Sequence, residues 1–195
     1  MKSKAGIACD TAGFMNKYIE DCGVTCELVS PQMLATPFYK GNIVALVIPT
    51  GFGNRMYSGI LPALRASADR IEKFVKKGGR VLCFGAMTAD SNTYGWLPFK
   101  CSYVHDYFNA PITVDKNNEF SGITADFDEN GIEFDGYFDD DTAPECEVIA
   151  STKDGKKVMI AKKHGEGYYV ITSIHELPSK EFIRNFCTAN VEILF

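Results

Sequence analysis

The 195-residue chain is 46% hydrophobic and 23% charged, a globular composition that excludes a disordered, collagen-like or coiled-coil protein. With 25 acidic against 20 basic side chains the net charge is −5, which argues against binding to nucleic acid or anionic lipid, since both need a basic surface. The length suits one domain over residues 1–195, able to bury a core without staples.

The chain begins Met1-Lys2-Ser3-Lys4 and turns polar again at Asp10 before an apolar run of signal length forms. No stretch reaches the 18 or so apolar residues of a membrane span. Seven cysteines are scattered without C-x-x-C pairs or zinc-ligand spacing. The expectation is a cytoplasmic protein with reduced thiols, no metal and no cofactor.

Gly6-Ile7-Ala8-Cys9 reads as a first strand, followed by an amphipathic helix from Phe14 to Cys22 with Phe14, Tyr18, Ile19 and Cys22 on one face. Cys26 to Val29 is a second strand, ended by Ser30-Pro31. Ile43 to Ile48 is a continuous apolar run, the mark of a strand covered on both faces. The glycine-bearing loop Pro49-Thr50-Gly51-Phe52-Gly53-Asn54 follows. One helix is expected over Leu61–Lys77, closed by Gly78-Gly79. Arg80 to Phe84 is the next buried strand, broken by Gly85-Ala86. This alternation implies βαβ units with right-handed crossovers.

The second half changes character. Turn clusters at Asp115–Asn118, Asp128–Gly131 and Lys153–Lys156 separate alternating and aromatic runs, which implies antiparallel hairpins. Tyr168 to Ile174 is a final strand and Pro178 to Asn190 a final helix. The fold class is therefore α/β, a flavodoxin-like three-layer sandwich with a mainly parallel central sheet and an antiparallel hairpin extension. Asp126-Phe127-Asp128-Glu129-Asn130-Gly131 matches the opening of a calcium loop, but Tyr137 stands where a bidentate Glu is needed, so a hairpin turn is expected. Asp139-Asp140-Asp141 reads as a solvated acidic loop.

In such a sheet ligands sit outside the carboxyl ends of the strands. Three segments converge there: the Thr50–Asn54 loop, the Cys83–Met87 turn, and His175-Glu176. A thiol, an imidazole and a carboxylate are the ingredients of a cysteine nucleophile activated by a histidine base. The aromatic segment Ser91–His105 follows the turn, either packing on the core or lining the pocket with His105 as a second imidazole.

The stretches "ALVIPTGFGNRMY…IEKFVKKGGRVLCFGAM" and "EVIASTKDGKKVMIAKKHGEGYYVITSIHELPSKEFIRNF" resemble class I glutamine amidotransferase-like domains, and among them the N-terminal domain of biotin–protein ligases. The resemblance spans nearly the whole chain. It implies glutamine amide hydrolysis through a thioester, with Cys83 as nucleophile, His175 as base and Glu176 as its orienting carboxylate. Oxyanion or ligand contacts would fall to Gly51, Phe52, Gly53, Gly85 and Ala86.

Each catalytic element departs from the family pattern. Counting from Gly78-Gly79 puts Gly85 at the nucleophile position, with Cys83 two residues early. Aligning Cys83 instead puts Val81 where a tight elbow needs glycine. The histidine motif reads His175-Glu176-Leu177 in place of H-P-E, and Thr50-Gly51 replaces paired glycines. Each residue also has a plainer reading. Cys83 suits a buried strand, His175 a helix cap, Glu176 a solvated surface, and Thr50–Asn54 a tight turn. The displaced motifs favour a divergent, non-catalytic relative that binds a small metabolite or a partner protein, with a Cys83–His175 amide hydrolase as the alternative.

Overall fold

The structure, a computed structural model, describes residues 1–128, 131–175 and 177–195. Glu176, expected in the site, and Glu129 and Asn130 of the expected turn lie outside the described residues.

In chain order the elements are β1 (Lys2–Ala8), α1 (Phe14–Asp21), β2 (Thr25–Val29), α2 (Pro31–Ala35), β3 (Asn42–Ile43), β4 (Ala45–Ile48), α3 (Ile60–Ala66), α4 (Ala68–Lys76) and β5 (Arg80–Cys83). Then come β6 (Tyr103–Ala110), β7 (Ile112–Val114), a 3₁₀ turn (Ser121–Thr124), β8 (Ile132–Phe138), β9 (Glu147–Thr152), β10 (Lys157–His164), β11 (Gly167–Thr172), α5 (Lys180–Phe186), β12 (Thr188–Ala189) and β13 (Ile193–Leu194).

Strands β2, β1, β4, β5 and β11 form a parallel ladder. From β11 the sheet continues through antiparallel β10, β8 and β6, with the β7–β9 pair also on β10. The fold is thus a mixed α/β sandwich with a parallel centre and an antiparallel extension, as the sequence implies.

The sheet separates two buried clusters. Leu46, Ile48, Val81 and Cys83 pack with α2, α3 and α4 on one face. Val47, Leu82 and Phe84 point the other way, toward α1 and α5. Alternation along β4 and β5 therefore sends adjacent residues into different layers.

Three boundaries differ from the sequence reading. The helix expected over Leu61–Lys77 breaks at Ser67, whose buried hydroxyl donates to Leu34 O at 2.5 Å. The run Ile43–Ile48 is two strands, since β3 pairs antiparallel with β13 while β4 pairs with β1 and β5. The last helix ends at Phe186, because Thr188-Ala189 pairs with Ser3-Lys2 at the sheet edge. Gly155, at φ +87, closes the expected β9–β10 hairpin. Among the described residues no helix is long and apolar enough to cross a membrane.

Candidate functional site

Asp135 lies on β8 with a fully buried side chain, the one charged side chain buried among the described residues. Burying a carboxylate is costly unless its oxygens are bonded, and here both are. Thr50 Oγ1 donates to Oδ2 at 2.5 Å, and His175 Nδ1 lies 2.9 Å from Oδ1. A carboxylate accepts, so this contact fixes a proton on Nδ1 and leaves Nε2 as the open nitrogen. The main-chain carbonyl of Asp135 accepts from the Tyr103 hydroxyl at 2.7 Å and from His105 Nδ1 at 2.8 Å. One residue therefore orients two histidines, one through its carboxylate and one through its backbone.

The backbone holds this arrangement in register. Asp135 N donates to Ser173 O, His175 N donates to Glu133 O, and Phe134 and Ile174 form an antiparallel bridge between them. Burial pushes the Tyr103 phenol above its ordinary value, and the Asp135 carboxylate adds to the shift, so Tyr103 is a hydrogen donor here.

Three hollows lie along the carboxyl edge of the parallel strands. One, of about 360 Å³, is walled by Phe14, Met15, Pro49, Thr50, Phe84, His175 and Leu177. A smaller one of about 150 Å³ shares Pro49 and Thr50 with it. The largest, about 800 Å³, shares Ser58 with the smaller one, so the three adjoin. Phe14 (70% exposed), Tyr57 (67%) and Tyr107 (58%) stand around them, Tyr107 meeting the His175 ring edge-on at 6.2 Å.

Cys83 ends β5 and His175 follows the adjacent parallel β11, with Cys83 in register with Ile171, so both belong to one sheet edge. Their side chains have different surroundings. Cys83 is 0% exposed in the α2–α4 layer, while its neighbour Phe84 faces the other layer and the His175 hollow. Burial pushes the Cys83 thiol well above its ordinary value, with Cys101 adding to the effect, and a nucleophile needs the opposite. The carboxylate that orients His175 in the described structure is Asp135.

The loop residues also act otherwise than as free ligand donors. Gly51 N donates to Gly85 O at 2.8 Å and Gly53 N to Ala86 O at 3.1 Å, so those two amides zip the loop to the β5 turn. Phe52 is core, edge-on to Tyr94 at 5.4 Å, and Ala86 is fully buried. Gly85 makes room for Asp135, since a β-carbon there would lie 2.7 Å from Oδ2.

The turn after β5 holds a residue the sequence reading passed over. Met87, at φ 53, is the one non-glycine residue with positive φ among the described residues. A left-handed residue on a turn leaving a strand is the posture of a nucleophile elbow. A thioether has no proton to lose and cannot fill that role. Asp135 was missed too, because one Asp in an alternating strand reads as a solvent-facing position. The aromatic segment after the turn packs mainly inward through Tyr94, Trp96 and Tyr103, and delivers His105 to the largest hollow. Among the described residues no three His, Cys, Asp or Glu side chains converge to hold a metal.

No family model and no curated protein matches the chain. Solved structures do. A GMP synthase-like protein from Thermoplasma acidophilum matches with a TM-score of 0.63 at 13% identity, over 96% of this chain and 93% of that one. A ThuA-like protein from Bacteroides uniformis matches with a TM-score of 0.59 at 11% identity, over 95% and 89%. A β-galactosidase from Rahnella sp. matches with a TM-score of 0.55 at 13% identity, over 95% of this chain but 30% of that one. These likenesses show a shared fold, the mixed α/β sandwich with a parallel centre described above.

Proposed function

We propose, from a glutamine amidotransferase-like fold whose expected nucleophile Cys83 is buried away from His175, that this chain is a divergent relative that binds a small metabolite without hydrolysing glutamine. One observation carries the reading: His175 is oriented by the buried Asp135 carboxylate at 2.9 Å, while Cys83 is fully buried in another layer. His175 is then the polar group that meets the ligand, in a hollow otherwise walled largely by apolar residues. The net charge of −5 favours a small molecule over nucleic acid. The order of motifs from Ala45 to Met87 supports a resemblance to the N-terminal domain of biotin–protein ligases, and seven free cysteines suit a cytoplasmic protein.

The experiment is ammonia release from glutamine by the purified protein and by Cys83→Ala. The expected result is no release above blank from either. Release by the wild type that Cys83→Ala abolishes would overturn the reading and restore the Cys83–His175 hydrolase.

A further inference from the structure

The largest hollow has an electrostatic character opposite to that of the whole chain. It is lined by Arg55, Arg65 and His105, with Asp90 the one carboxylate in its wall. Arg55 is exposed and has no hydrogen bond or ion pair among the described residues. Arg65 holds Asn92 O at 2.9 Å and reaches Asp90 Oδ2 at a looser 3.4 Å. Asp10, which lines the adjoining smaller hollow, is already engaged by the Ser58 hydroxyl and the Gly59 amide. His105 uses Nδ1 on the Asp135 carbonyl, which leaves Nε2 as its second nitrogen.

We infer that this cleft is an anion subsite that takes the phosphate group of a small metabolite. Two guanidiniums in one cleft are suited to planar, forked donation to a phosphate or carboxylate. Two guanidiniums against one loosely paired carboxylate leave the cleft net positive, and the terminal oxygens of a phosphate can engage both forks where the two oxygens of a carboxylate serve one. His105, whose Nδ1 is engaged by the Asp135 carbonyl, presents Nε2 for a hydrogen bond with a polar group of the same ligand. A volume of about 800 Å³ holds a phosphate and an attached polyol or ring. Because the hollows adjoin through Ser58 and Thr50, an anchored phosphate leaves the rest of the molecule free to extend toward His175. The inference rests on the binding reading above and names its ligand class.

The test is calorimetric titration of the full chain with sodium phosphate, and separately with sodium acetate, against sodium chloride at matched ionic strength. Wild type is expected to bind phosphate measurably and acetate at least about tenfold more weakly. Arg55→Gln, which breaks no hydrogen bond or ion pair among the described residues, is expected to weaken phosphate about tenfold or more. Arg65→Gln should do the same, and Lys77→Gln, outside the cleft, should leave binding unchanged. Absence of phosphate binding, equal affinity for acetate, or an equal loss in Lys77→Gln would each overturn the subsite. Ammonia release from glutamine would instead overturn the underlying reading while leaving a phosphate result intact, so the two failures are distinguishable.

Discussion

Gly85 and Asp135 occupy the same space: a β-carbon added to Gly85 would sit 2.7 Å from the Asp135 carboxylate and 2.8 Å from its own β-carbon. Gly85 is fixed by its neighbour's buried charge, since its φ does not lie in the left-handed region. Gly85→Ala must therefore push Asp135 aside or strain the β5 turn. Overpacking of this kind costs about 1–3 kcal/mol, which for a chain of this size lowers Tm by roughly 2–10 °C. Calorimetric melting checks it, and an unchanged Tm would show that the turn yields freely.

Asp135 holds its two histidines by different atoms, so its substitutions should separate them. Asp135→Ala removes the acceptor of Thr50 and His175 and is expected to cost about 1–3 kcal/mol of stability. Asp135→Asn keeps the shape and should cost less. In both variants His105, bonded to the main chain, is expected to keep its place while the His175 ring loses its fixed orientation. Imidazole ¹⁵N spectra that change for both rings alike would contradict the assignment.

The thiols supply a reactivity test. Cys83, Cys101 and Cys187 are buried, with pKa values driven up first by desolvation. They are expected to resist a disulfide reagent at pH 8 until the chain unfolds. Prompt modification of Cys83 in the folded protein would mean that the site is open to it.

The same burial sets a pH dependence. Cys146 is raised from 9.0 to about 11 and Cys26 from 9.0 to about 12, each mainly by desolvation. The unfolded chain releases these protons near pH 9, whereas the folded chain keeps them until its higher values. Between those limits the folded state binds more protons, so stability falls as pH rises above about 9. Urea midpoints at pH 8 and pH 10 should show the decline, and Cys26→Ala should reduce it.

Met87 carries a conformational cost that glycine would not. A left-handed non-glycine residue costs about 1–2 kcal/mol. Met87→Gly is expected to recover part of that, and Met87→Val to lose a similar amount because a β-branched residue fits this region worst. Chemical denaturation of the pair against wild type checks the sign. A destabilised Met87→Gly would mean that the side chain contributes more through packing than its backbone costs.

The parallel centre of the fold is legible in the sequence because strands covered on both faces lose their alternation, as Ala45–Ile48 and Arg80–Cys83 do. The site is legible in part. Thr50 and His175 stand at strand ends, where ligands gather in such sheets. Cys83 also stands there, but which way a residue points depends on strand parity: Cys83 faces the α2–α4 layer and Phe84 the other. Asp135 is hidden for a related reason. Alternation on β8 sends Phe134 into the core and Asp135 to the opposite side, and nothing local says that this side meets the Thr50 loop rather than water.

Thr50 and Asp135 are 85 residues apart in the chain, and Asp135 and His175 a further 40. The first belongs to the parallel half of the sheet and the second to its antiparallel extension. Contacts of such long range close late in folding, after the local hairpins and helices that reduce their loop-closure cost. The imidazole is thus aligned only when both halves have docked, and a chain arrested halfway would hold many of its helices and hairpins but no crevice.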